Sequence, residues 1–121
     1  MDLGTEFIRL PWRFEAARMA EEIHRLPESA WMAHPDGTPG NTAVALISRA
    51  GSDNDQFRGA MRPTRHLLQC EYLQQVIASF GEVFGRSRLM RLAPGAEVVP
   101  HVDFHHHWHN HLRVHIPVLT N

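Results

Sequence analysis

From the amino terminus, the apolar positions first follow a helical rhythm. Between Pro11 and Leu26, the residues Ala16, Met19, Ala20, Ile23 and Leu26 recur with the 3.6-residue period, while Arg13, Glu15, Arg18, Glu21 and Glu22 fill the other faces. Pro11 suits the first turn of such a helix and Pro27 ends it. The stretch from His34 to Asn41 is dense in Pro, Gly, Asp and Asn and predicts a loop. Thr42 to Ser48 is short, apolar and β-rich, which predicts a strand closed by the turn formers from Gly51 to Asp55. Thr64 is placed to cap a helix that begins after it. A further helix is predicted over Glu71 to Phe80, with Tyr72, Leu73, Val76, Ile77 and Phe80 on one stripe and glycines at 81 and 85 bracketing its exit. From residue 86 the period changes. Arg88 to Leu92 reads as a strand and Pro94-Gly95 as a turn, and Glu97–Phe104 and Leu112–Leu119 alternate with period two. The order helix, strand, helix, then strands implies an α+β fold with a mainly β C-terminal part.

A length of 121 residues is one domain's worth. Twelve Lys+Arg against 13 Asp+Glu give a formal charge of -1, which leaves no basic footprint for nucleic acid or an anionic membrane. No apolar run approaches the ~18 residues of a membrane span, and Met1 to Glu6 lacks the basic and apolar regions of a secretory signal. The single cysteine, Cys70, excludes an internal disulfide framework and fits a reducing compartment, so a cytoplasmic location is expected. It has no neighbouring feature that would activate its thiol. Trp12 and Trp31 read as core or rim aromatics.

The histidines change the picture. There are ten, and seven of them (His101, His105, His106, His107, His109, His111 and His115) fall between positions 101 and 121. Imidazole is the commonest metal ligand. On an extended strand His101 and Asp103 share one face, with Val98, Pro100, Val102 and Phe104 opposite. An imidazole and a carboxylate so placed are two of the three ligands of the facial triad of non-haem Fe(II) oxygenases. In the following segment Arg113 and His115 share one face, and Leu112, Val114 and Ile116 the other. If the apolar set packs inward, Arg113 and His115 point into the cavity that His101 and Asp103 line, where the guanidinium suits a carboxylate. In the opposite reading both are solvated. The cluster from His105 to His111 reads as a loop, either a solvated trap for adventitious metal or a supply of further ligands. The phosphate-binding glycine loop, H-E-x-x-H, C-x-x-C and the G-x-S-x-G elbow are absent from the sequence.

The run Arg88-Leu89-Met90-Arg91-Leu92-Ala93-Pro94-Gly95-Ala96-Glu97-Val98-Val99-Pro100-His101-Val102-Asp103, followed by Leu112-Arg113-Val114-His115-Ile116-Pro117-Val118, resembles the aspartyl/asparaginyl β-hydroxylase family of Fe(II)- and 2-oxoglutarate-dependent dioxygenases. Pro63-Thr64-Arg65-His66 and Tyr72-Leu73 are similar to a segment of the related bacterial proline 3-hydroxylases. The resemblance covers residues 60 to 121 well and the N-terminal half loosely. It implies N-terminal helices packed on the first part of a cupin-like double-stranded β-helix, or jelly roll. Residues 1–85 would form a helical or mixed cap, and 86–121 a β-rich part carrying the metal site. It further implies that His101 and Asp103 bind Fe(II), that Arg113 and His115 contact the 2-oxoglutarate carboxylate beside the keto group, and that an amino acid or an Asp/Asn residue of a peptide is hydroxylated. The family's distal His and second 2-oxoglutarate Arg lie several dozen residues beyond the Arg-x-His motif. The chain is therefore expected to be the N-terminal portion of such a domain, catalytically incomplete, with open β edges through which two copies could pair. The alternative is a non-enzymatic, His-rich module binding Zn²⁺, Ni²⁺ or Cu²⁺.

Overall fold

The structure, a computed structural model, describes residues 11–35, 37–54, 56, 58–81, 85–95 and 114–119. Its elements run α1 (Ala16–His24), a 3₁₀ turn (Glu28–Ala30), β1 (Met32–Ala33), β2 (Asn41–Arg49), β3 (Met61–Pro63), α2 (Arg65–Leu68), α3 (Glu71–Ala78) and β4 (Ser87–Leu92). The four strands form one open antiparallel sheet organised by β2. Strand β4 pairs along one edge of β2, from Asn41↔Leu92 to Ile47↔Ser87. The short strands β1 and β3 divide the other edge between them, through Met32↔Ala43 and Arg49↔Met61. Pro63 ends β3 at the edge of the sheet, the place where a missing N–H does least harm.

Alternation along β2 sends Val44, Leu46 and Ser48 into the interior and leaves Ala43 and Ala45 half-buried on the opposite face. The helices pack on the first of these faces. Val44 and Leu46 join Met19, Leu26, Leu73 and Val76 in a single apolar cluster, with Leu89 of β4 packed against it. Cys70 lies inside this cluster at 1% exposure, and that burial pushes its thiol pKa up.

Two polar groups lock the helices in place. The Glu22 carboxylate of α1 accepts hydrogen bonds from the backbone amides of Tyr72 and Leu73, at 2.7 and 2.9 Å. These are amides of the first turn of α3, which has no helical partner for them, so one helix supplies the other's cap. Thr64, the residue after β3, is the second. Its Oγ1 donates to the Ala45 carbonyl at 2.7 Å and accepts from Leu67 N at 3.3 Å, capping α2 as expected. Its own amide donates to the Leu46 carbonyl at 2.9 Å. Thr64 is 1% exposed, so Thr64→Val removes the hydroxyl at constant shape and leaves a buried carbonyl and amide unpaired. The expected cost is about 2 kcal/mol of unfolding free energy, with Thr64→Ser losing about half as much. Urea denaturation of the two variants measures this.

Several sequence expectations shift in the structure. The first helix starts at Ala16 rather than Pro11, because residues 11–15 are held in tertiary contacts. Trp12 and Phe14 meet Phe80 with ring centroids 4.8 and 5.9 Å apart, and the Glu15 amide donates to the Tyr72 hydroxyl at 2.8 Å. The strand expected over Leu112–Leu119 is not formed across 114–119. Ile116 and Val118 of that stretch pack against the core cluster instead, and Pro117 has no N–H to give a ladder. The Glu97–Phe104 strand lies outside the described residues.

Candidate functional site

Of the residues singled out for chemistry, His101, Asp103 and Arg113 lie outside the described residues, as does the cluster from His105 to His111. His115 is described and exposed, next to Ile116, which turns onto the core. Val114 is 41% exposed, so the apolar face expected to join Leu112, Val114 and Ile116 does not extend through Val114. Among the described residues, no group of three or more His, Cys, Asp or Glu side chains is arranged to hold a metal ion.

The described residues do place a hollow on the sheet face that the helices leave open. Its base is the small pair Ala43 and Ala45 on β2, and Met32 and Pro35 add apolar walls. Arg86, just before β4, and Arg88, within it, supply two guanidinium groups. The register sets this composition, because Ala43 is flanked by Met32 and Met90 and Ala45 faces Arg88. Cross-strand neighbours share a face. Met32, Met90 and Leu92 remain close to half exposed on this side. Sequence reasoning passed over Arg86 and Arg88. The signal was the alternation within β4, which sets Arg88, Met90 and Leu92 on the face opposite Leu89 and Arg91.

Arg91 shows what that alternation does on the other face. Its guanidinium lies 4.1 Å from the centroid of the Trp31 ring. It donates to both Glu28 carboxylate oxygens, at 2.6 and 3.1 Å, and to Thr42 Oγ1 at 3.2 Å. These hydrogen bonds hold the Glu28 carboxyl below its ordinary pKa. Glu28 is well exposed, so solvent screens the pair and its part in stability is small.

A second polar cluster joins the turn after β2 to the start of α2. Asp53 meets His66 Nε2 at 3.1 Å through one oxygen and Arg65 Nη2 at 2.9 Å through the other. His66 is buried, with 5% of its side chain exposed. A carboxylate so placed fixes the orientation of an imidazole, and the cluster fastens the loop to the core. Gly51 belongs to this turn. Its φ of +70° lies in the left-handed region, and a Cβ there would stand 2.7 Å from the Pro63 carbonyl oxygen.

Among the described residues, no helix is long and apolar enough to cross a membrane. Comparison with protein-family models, with curated proteins and with solved structures finds no match.

Proposed function

We propose that the chain carries the iron and co-substrate motifs of an Fe(II)- and 2-oxoglutarate-dependent dioxygenase, on the first part of a jelly-roll domain, that hydroxylates an amino acid, either free or as an Asp or Asn residue within a peptide. The observation that carries this reading is the ordered run Pro94-Gly95, Pro100-His101-x-Asp103, Arg113-x-His115-x-Pro117. Two structural features support it. Strand β4 leads into a Pro94-Gly95 turn, with Gly95 at φ +80°, immediately before the metal motif. Among the described residues, the helices cover one face of an open antiparallel sheet, and the other face carries a hollow.

The donor chemistry suits the group. An imidazole and a carboxylate are ligands that Fe(II) accepts, and a guanidinium fork matches a carboxylate. His101 and Asp103 would hold the metal, while Arg113 and His115 would hold the 2-oxoglutarate carboxylate next to the keto group. When bound, the iron with 2-oxoglutarate and O₂ supplies the oxidation of an unactivated C–H bond, with succinate and CO₂ as co-products. The chain's own part is to fix the ligands and to orient the co-substrate by charge-assisted hydrogen bonds.

Anaerobic titration tests the proposal. 2-Oxoglutarate is expected to bind at least tenfold more tightly when Fe(II) is present than without it, with a visible charge-transfer band from the chelate. Absence of Fe(II)-dependent binding overturns it. The second reading, a non-enzymatic module for Zn²⁺, Ni²⁺ or Cu²⁺, draws on the seven histidines between 101 and 121. It predicts uptake of those metals that is indifferent to 2-oxoglutarate.

A further inference from the structure

The hollow on the open face of the sheet has the makings of a binding site that the iron motif does not explain. Its volume is about 130 Å³. An apolar cavity of about 150 Å³ is known to accommodate a benzene ring, so the space encloses a body of roughly six heavy atoms, and its open side lets a longer ligand extend beyond it. The lining is divided chemically. Ala43, Ala45, Met32 and Pro35 offer apolar contact, and Arg86 and Arg88 bring two positive charges to the same space. None of the described lining residues is acidic.

Both arginines are half-buried, which reduces their hydration and strengthens any charge-assisted hydrogen bond they make. Each already engages another group, yet a guanidinium carries five N–H donors in a fixed fork and can serve more than one acceptor. Asn54 also borders the hollow. Its side chain is committed to the turn, donating to the Arg49 and Ser52 carbonyls and accepting from the Gln56 amide. Ser87 lines the hollow as well, and its hydroxyl donates to the Gly85 carbonyl at 3.2 Å. The charged groups of the lining are the two arginines, so the recognition is of an anion.

We infer that this hollow binds a small carboxylate, with the carboxylate on Arg86 and Arg88 and a compact apolar body over Ala43 and Ala45. The inference does not depend on the iron reading. The carboxylate can belong to a monocarboxylic acid, to an amino acid or to 2-oxoglutarate, and all three share the chemistry the arginines recognise.

Isothermal titration of the full chain, with EDTA present to remove metal, tests the site with four probes: isobutyrate, its neutral isostere isobutyramide, L-proline and 2-oxoglutarate. At least one carboxylate is expected to bind saturably, and isobutyramide at least tenfold more weakly than isobutyrate. Arg88→Gln should weaken the binding carboxylate tenfold or more. Ala45→Leu, which fills the base from the side away from the core, should do the same while the circular dichroism spectrum stays unchanged. It therefore tests the site even if Arg88→Gln does not fold. The tightest of the three carboxylates identifies the source. If no carboxylate binds, if isobutyramide binds as tightly as isobutyrate, or if a folded variant binds like the parent, the inference is overturned. Because metal is absent throughout, failure of the iron proposal leaves this result untouched.

Discussion

With His101 and Asp103 both replaced by alanine, Fe(II)-dependent binding of 2-oxoglutarate is expected to vanish, while Ni²⁺ and Zn²⁺ uptake continues almost unchanged. The asymmetry follows from where the donors lie in the sequence. The double substitution removes the imidazole and the carboxylate assigned to iron but leaves His105, His106, His107, His109, His111 and His115. Losing groups that merely orient metal ligands commonly costs about 10- to 100-fold in metal affinity, so losing two ligands should cost more than about 100-fold. Ni²⁺ and Zn²⁺ readily take several neighbouring imidazoles, and that capacity survives. Parallel titrations with Fe(II) plus 2-oxoglutarate and with Ni²⁺ alone measure both arms. Retention of the 2-oxoglutarate effect in the double variant would remove the dioxygenase assignment for these residues.

Leu46→Ala is expected to be the most damaging single truncation among the described residues. Leu46 is 4% exposed in the middle of β2, which carries every other strand of the sheet. Its side chain enters the cluster formed with α1, α2 and α3, so the deletion opens a cavity where all the layers meet. Leu→Ala changes at such sites cost about 2–5 kcal/mol, depending on how far the surroundings collapse. The upper half of that range is expected here, because β2 is paired on both edges and has little freedom to move. A domain of this size is stable by roughly 6–15 kcal/mol in total, so the variant should lose a large share. Urea denaturation is expected to show a lower midpoint with little change in slope. Leu68→Ala, at a residue 62% exposed, should stay within about 0.5 kcal/mol of the parent.

The sequence disclosed the long elements well and the short ones poorly. Strand β2 and helix α3 carry periodic apolar patterns over eight or nine residues, long enough for period two and period 3.6 to separate. Strand β4 was legible from Arg88 to Leu92, one residue short of its start. Strands β1 and β3, with two and three residues, are too brief to show any period. They exist because β2 offers an edge. The start of α1 was misread because residues 11–15 answer to Phe80 and Tyr72, and contacts between residues some 60 positions apart leave no local mark.

The same difference in range governs the candidate sites. The iron motif is a local pattern, with its residues close together in the chain. The hollow gathers Met32, Ala45 and Arg88 from three separate strands, and only strand register brings them side by side. The Asp53–His66 pair is likewise invisible to periodicity, since the turn formers after β2 predict a loop without predicting what it will touch.

Helix α3 borrows its N-terminal cap from α1 through the Glu22 carboxylate. A cap supplied from within α3's own segment would be in place as soon as that segment coiled. This one arrives only after a chain loop of about 50 residues has closed. The nucleus of α3 is therefore left with two unpaired amide protons until α1 docks, and any excursion of α1 from the core uncaps α3 at once. The two helices are thus expected to gain and lose order as one cooperative unit, although most of the sheet lies between them in the sequence.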